Sequence, residues 1–402
     1  MVSIAGMARP ARNSRNRVYF RSVPWACLAW ACLPGGSGAH SKSGPAASAT
    51  PAAGPSQPAP VSAPSTAGPV KAPSEPGLRP PLKVEVQDEA MGTSLHFIAY
   101  TSPTTDEAAT RAAIAQAIAE MRRLESLLSE WKTDSEVGQV NAHAGEWVTV
   151  GPETLDVIGR GLWAGKLSDG RFDITFQALS KVWKFGSAQE AQPKLPSRQE
   201  VEKLRKLVDY RRVELDEPGK RVRIGKQQLL GLGGIAKGYI VDRAAKVLRD
   251  AGLQGFLAQA GGDLYGAGRK PDGSPWLSGV QDPRGAQGEF FAVLELTDHA
   301  FSTAGDYARS YVVGGKRYHH IIDPKTGYPA TACRSVTIWA NDATTADGID
   351  DAVFILGPER GLKLVESLAG VGAVIVDARN RVFISERVKD KLKVLKPPTD
   401  GL

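Results

Sequence analysis

Two short stretches hold most of the side chains that could do chemistry. His319 to Pro329 reads HHIIDPKTGYP, and Ala346 to Gly357 reads ADGIDDAVFILG. Together they supply an imidazole, a turn-forming Asp-Pro pair and the carboxylates Asp347, Asp350 and Asp351. A base, a cluster of hard oxygen ligands and a rigid turn suit phosphate chemistry. The rest of the chain offers no evident nucleophile or redox centre.

Asp347 and Asp351 are four residues apart, so on a helix they share one face. Two carboxylates placed so repel unless a cation lies between them, and magnesium with a phosphate would complete such a shell. The group begins a predicted helix over 346–356, and helix capping by acidic residues is the plainer reading. If 317–322 is a strand, His319 and His320 point to opposite faces and only one can face a site. His320 directly precedes Ile321-Ile322 and the Asp323-Pro324 turn. It reads either as a rigidly held general base or as a satisfied strand histidine. In LGGIAKGYIVD (232–242) a predicted strand from Gln228 to Leu232 runs through a glycine-rich turn into a helix. Such a turn exposes backbone amides that suit an anion, with Lys237 beside them. The glycines match neither dinucleotide nor P-loop spacing, so a tight turn without ligand stays open. Met91 and Trp131, taken alone, read as core.

These groups need a frame, and the periodicity supplies one. Residues 83–100 alternate as two strands around a turn at Met91-Gly92-Thr93. Ile114, Ile118, Met121, Leu124, Leu128 and Trp131 recur at helical steps, predicting a helix from Asp106 to Trp131. Further helices are expected over 152–168, 197–208, 346–356 and 358–368, with a pair of strands in 211–231. Strands are expected at 255–259, 276–281, 289–296, 310–314, 317–322, 335–340, 372–376 and 381–384. Meanders mixed with helices, without internal repeats, predict an α+β fold with mixed or antiparallel sheets rather than a doubly wound one.

The net charge of +7 comes entirely from the first 82 residues, which hold eight basic residues and the single acid Glu75. The remainder is balanced, with no overall bias toward nucleic acid or an anionic membrane. Residues 1–40 read as a leader: five arginines precede the apolar run VPWACLAWACL (23–33), an export pattern too short to span a bilayer. Cys32 could take a lipid anchor, although Ala29 and Trp30 fit that signal poorly, and Met7 offers a second start. Residues 41–82 are Pro-, Ala- and Ser-rich and read as a tether that cannot bury a core. The folded part, 83–397, holds only Cys333, which excludes a disulfide or a cysteine metal site there.

The motifs in order carry a resemblance. They are MGT (91–93), SEWKTDSE with Asn141, GRFDIT (170–175), WKFG (183–186), LGGIAKGYIVD, GGDL (261–264), GVQDP (279–283), STAGDY (302–307), HHIIDPKTGYP and ADGIDDAVFILG. Singly several are loose; together and in this order the chain resembles the ApbE family, the FAD:protein FMN transferases of bacterial envelopes. The resemblance implies a two-lobed α+β domain that splits the FAD pyrophosphate. FMN passes to a Ser or Thr hydroxyl of a partner protein, AMP leaves, and magnesium is required. It implies that Met91 and Trp131 flank the isoalloxazine, and that Arg171, Phe172, Asp173, Lys237 and Ile322 contact FAD. It implies that the carbonyl of Gly234 with Asp347 and Asp351 holds the metal, and that His320 deprotonates the acceptor hydroxyl. The acceptor is expected in trans, with an Asp-x-x-Ser/Thr-Gly-Ala-Ser/Thr pattern absent from this chain. Two positions depart: Gly231 stands where the family commonly has an acid contacting FAD, and Asp351 where it has a threonine. An FAD pyrophosphatase and a non-catalytic flavin-binding lipoprotein are the competing readings. The leader and the resemblance together imply a periplasmic protein, with membrane attachment through Cys32 if that residue is lipidated.

Overall fold

The computed structural model describes residues 80–186 and 192–401. The expected leader and nearly all of the tether lie outside the described residues. The domain begins with a hairpin, β1 (Lys83–Ala90) and β2 (Thr93–Tyr100), closed by Met91 and Gly92. Helix α1 (Glu107–Leu128) follows, capped by Asp106, whose carboxylate accepts from the Ala109 amide at 2.8 Å. It ends three residues before Trp131, so Trp131 is not part of the helix as predicted. Helix α2 (Glu136–Ala142), β3 (Val148–Thr149), α3 (Pro152–Leu167) and α4 (Arg198–Arg205) precede the short pair β4 (Glu214–Asp216) and β5 (Arg221–Arg223). The strand expected at Gln228–Leu232 is absent; only an isolated bridge joins Leu229 to Phe176. Helix α5 (Ala236–Asp250) then starts directly after the glycine turn.

Strands β6 (Phe256–Ala260) and β7 (Asp263–Ala267) form a hairpin, as do β8 (Trp276–Gln281) and β9 (Phe290–Leu296). Next come β10 (His299–Gly305), the hairpin β11 (Ser310–Val313) and β12 (Lys316–His319), and the pair β13 (Ile322–Asp323) and β14 (Tyr328–Pro329). Strand β15 (Cys333–Ala340), helix α6 (Ala343–Glu366), β16 (Gly372–Asp377), β17 (Val382–Ile384) and β18 (Leu392–Val394) complete the chain. Helix α6 breaks at Gly357, whose φ of 77° places Pro358 at the start of a second segment. This is the division expected between 356 and 358.

The spine is an eight-stranded sheet in the order β1-β2-β6-β7-β10-β15-β16-β17, antiparallel at every pairing. One face packs against α1, α5 and α6, and the other against the three-stranded sheet β18-β9-β8. Strand periodicity assigns residues to the two sides: Ala373 and Ile375 of β16 join the helix-side core, Val374 and Val376 the opposite one. All of β15 is buried because both its faces are covered. The α+β class with antiparallel sheets and packed helices is what the structure shows.

Candidate active site

Helices α5 and α6 meet where the site is built. A Cβ on Gly238 would stand 2.1 Å from the Ala343 carbonyl oxygen, so only glycine allows this approach. The contact brings the Asp347 carboxylate onto the first turn of α5, where it accepts from the Gly238 amide at 2.9 Å. No side chain of α5's own Ncap residue does that task. Asp342 caps α6 itself through the Thr345 amide. The aspartates predicted to begin this helix therefore lie inside it, one to two turns along, and Asp347 caps its neighbour instead.

Lys237 projects from the same turn. Its ammonium lies 2.6 Å from Asp263 and 3.4 Å from Asp347. Burial opposes its charge, but these carboxylates outweigh that and hold its pKa above the usual lysine value. Ser302 Oγ sits 2.5 Å from Asp263 Oδ1 and 2.7 Å from Asp350 Oδ2. A hydroxyl has one hydrogen, so one of the two contacts needs a proton from a carboxyl group. Asp350 holds it: burial first, then the charges of Asp351 and Asp347, push its pKa well up. Burial likewise raises Asp347 to about 7 and Asp351 to about 6. This wall thus carries more carboxylates than Lys237 can balance.

A cavity of about 670 Å³ opens against this wall, and every site residue expected from the sequence lines it. Met91 is held at φ 54°, in the left-handed region, by the tight β1–β2 turn. Trp131 is 74% exposed at the rim, free of the core that its periodicity suggested. Arg171 donates to Asp323 at 2.7 Å, while its buried Nε has no partner. The Phe172 ring and Asp351 Oδ2 lie 3.0 and 3.3 Å from where a Cβ on Gly234 would stand. Gly234 is thus pressed against the Asp351 carboxylate. Asp173 is engaged within the protein, accepting from Thr175 and from the Tyr210 amide. Ile322 is buried in the side wall.

The two histidines separate as parity predicted, although β12 ends at His319 and the strand does not run on to 322. His319 is buried, with Nε2 2.8 Å from the Ala330 carbonyl and Nδ1 accepting from the Ile321 amide. His320 lines the cavity, and its buried Nδ1 has no partner. Burial, then the charge of Arg309, push its pKa down to about 3, so the ring is neutral at pH 7.

The ApbE family model matches residues 91–375. The chain belongs to the ApbE family. It is 31% identical over 268 residues to the FAD:protein FMN transferase of Klebsiella pneumoniae (strain 342), covering 65% of this chain and 75% of that one. It is 30% identical over 302 residues to that of Treponema pallidum (strain Nichols), covering 71% and 82%. The crystal structure of the ApbE protein from Thermotoga maritima superimposes with TM-score 0.69 at 35% identity, covering 76% of this chain and 98% of that one. The flavin transferase ApbE from Vibrio cholerae gives 0.68 at 26%, covering 78% and 100%.

Gly231, where the resemblance led one to expect an acidic residue, is closely hemmed in. A Cβ at Gly231 would stand 3.0 Å from the Gln177 side chain and 3.2 Å from the Phe176 ring, so a larger residue there requires both to shift by a few tenths of an ångström. Sequence reasoning passed over Glu130 and Arg309, which also line the cavity. Glu130 Oε1 lies 3.6 Å from a Cβ position on Gly233, and burial raises its pKa. Glu130 sits within SEWKTDSE and Arg309 two residues past STAGDY, so both were flagged by neighbourhood but by no periodicity.

Proposed function

We propose that this ApbE-family chain is an FAD:protein FMN transferase that flavinylates a Ser or Thr hydroxyl of a partner protein with magnesium, releasing AMP. The observation that carries this reading is His320, a neutral buried imidazole with an unpartnered nitrogen, in one cavity with Lys237 and the Asp347–Asp351 pair. The named activity of the similar proteins supports it.

The donor set fits a hard dication. Asp347 and Asp351 share one helical face, Asp351 abuts Gly234, and the wall holds an excess of buried carboxylate. Among the described residues no three His, Cys, Asp or Glu side chains form a cage by themselves. Magnesium held by two carboxylates, a carbonyl and substrate phosphate needs none. When bound, magnesium would neutralise charge developing on the pyrophosphate.

The acceptor oxygen forms a bond to the FMN-side phosphorus, the bond from that phosphorus to the AMP oxygen breaks, and the hydroxyl proton passes to His320. An anionic phosphate in the cavity offsets Arg309, one cause of the low imidazole pKa, and so strengthens the base. Lys237 places a fixed positive charge against the phosphates. Trp131 at the rim and Met91 in the cavity lining would give the flavin ring two faces to lie between. The leader supports action at the envelope, with Cys32 as the residue to test for lipidation. Among the described residues no helix is long and apolar enough to cross a membrane.

The test is incubation with FAD, magnesium and a peptide carrying Asp-x-x-Thr-Gly-Ala-Thr, read by mass spectrometry. Added FMN on the peptide, lost in EDTA, is the expected result. FMN and AMP without peptide modification would make the chain a pyrophosphatase, and no turnover at all would leave a flavin-binding protein.

A further inference from the structure

The two residues that flank the hairpin β11–β12, Arg309 and His320, both line the cavity. Its turn, Gly314-Gly315, has φ values of 57° and 76°, the conformation of a rigid two-residue hairpin turn. Its base is closed by the His320 amide donating to the Arg309 carbonyl at 3.2 Å. Whatever docks along the hairpin is therefore aligned with the base that would take the hydroxyl proton.

The hairpin is a two-stranded sheet, and among the described residues neither strand pairs with a third. Bonded pairs alternate in an antiparallel ladder, so with Arg309 and His320 bonded inward, the amides and carbonyls of Ser310 and Val312 point outward. The β12 side is blocked near its base by buried His319 against Ala330. Among the described residues the β11 edge is unpaired, and Val312 on it is 47% exposed. Tyr311 and Tyr318 brace the hairpin, stacking on Phe185 and Trp183, which line the cavity.

Charge names the partner's chemistry. From Tyr307 to His320 the chain has Arg309, Lys316 and Arg317 and no carboxylate. None of the three forms an ion pair among the described residues. The nearby Asp306 is taken by Arg284 at 2.7 Å. Arg317 holds only Ser310 Oγ, and its buried Nε has no partner. Arg309 lines the cavity and can serve the nucleotide, but Lys316 and Arg317 do not line it. The Lys316 ammonium lies over the Tyr318 ring, 5.3 Å from its centroid, and the Arg317 guanidinium reaches across to Ser310 on β11, so neither charge is met by a carboxylate among the described residues.

We propose that the acceptor protein docks as an extended, acidic segment added along the β11 edge, with Lys316 and Arg317 meeting its carboxylates and its hydroxyl residue delivered to His320. This rests on the transferase reading and specifies its partner surface. Backbone pairing to an open edge supplies affinity, and the flanking charges supply selection.

The test measures KM for the peptide Asp-x-x-Thr-Gly-Ala-Thr and, separately, Kd for FAD by flavin fluorescence. Lys316→Glu with Arg317→Glu should raise the peptide KM about tenfold or more. FAD affinity should hold, and a peptide with its Asp replaced by Lys should recover part of the loss. Val312→Pro removes one outward amide and should also raise KM, whereas Val312→Ala should not. An unchanged KM in both the charge-reversed and proline variants overturns the proposal, as does a loss that appears equally in FAD binding. Wild-type protein that converts FAD to FMN and AMP with every acceptor offered would instead fail the transferase reading, and this docking with it, before any variant is made.

Discussion

The cavity has two unlike walls. The wall made by α5, α6, β7 and β10 is charged, buried and cross-braced: Lys237, Asp263, Ser302, Asp350 and Asp347 hold one another through short polar contacts. The other wall is aromatic: Trp183 and Phe185 line it, with Tyr318 and Tyr311 stacked on them from outside. Trp183, Phe185, Tyr311 and Tyr318 lie with centroids 5.5 to 6.2 Å apart, fastened by the Trp183 indole donating to the Gly327 carbonyl at 2.7 Å. The first wall fixes charge where water is excluded and leaves little room to adjust. The second relies on non-directional stacking and ends in an open strand edge. The difference teaches which end must be pre-organised for phosphate and which must admit a variable polypeptide.

The sharpest break in this comparison is at His320, where the walls meet. His320→Asn should lower FMN transfer by roughly 10²–10⁴ with FAD affinity nearly unchanged. His319→Asn should instead lower the melting temperature, because it frees the buried Ala330 carbonyl. Rates of FMN–peptide formation, FAD titration and thermal melts on both variants separate the two roles; a larger rate loss at His319 reverses the assignment.

On the aromatic side, Trp183→Ala should cost about 3–5 kcal/mol of stability, the usual range for an emptied aromatic core site. Denaturant unfolding checks this, and a change under ~1 kcal/mol would show that the stack is decoration.

The charged wall makes a pH prediction. Asp347 and Asp351 have native pKa values of about 7 and about 6, above an unfolded value of 3.8. The native state then holds protons that the unfolded state has lost, so these groups favour folding at low pH and cease to do so as pH rises through that window. His320, depressed to about 3, acts in the opposite sense, costing stability as pH falls below 6.5. Without divalent ions, wild type should therefore lose melting temperature relative to Asp347→Asn as pH rises from about 4 to 7, with the gap levelling off above that, and added magnesium should close it. A pH-independent gap would remove the excess-carboxylate account.

At the rim, Trp131→Ala should weaken FAD binding several-fold, in line with ~1 kcal/mol of stacking. Fluorescence titration with unaltered affinity and quenching would take Trp131 out of the flavin site. The smallest effect is expected at Asp350→Asn. An amide can still donate to Ser302 where a neutral carboxyl did, so turnover should stay near wild type, while Asp263→Asn, which strips Lys237 of its nearer counter-charge, should not be tolerated.

The sequence made the helix-side frame legible because its signals are periodic: Ile114, Ile118, Met121, Leu124 and Leu128 predict α1, and all are buried. It failed at β7 and β10, which read DLYGA and HAFSTAG. Their small and polar residues carry little strand propensity, and they are strands because neighbours on both sides pair with them. The same two strands supply Asp263 and Ser302, so the central strands that were hardest to read also brace the charged wall. Arg309 and Glu130 were marked only by their neighbours, for another reason: a single charged side chain entering a cavity from a loop leaves no periodic pattern along the chain.

Met91 carries one more consequence. A non-glycine residue at φ 54°, in a turn that glycine or asparagine would adopt more easily, keeps the hairpin from its most relaxed state. Directed evolution for heat resistance alone would drift toward those smaller residues here and discard a thioether that borders the ligand cavity. Ruggedness and grip pull this one position in opposite directions, and a thermostabilised version of the protein would need to hold 91 fixed.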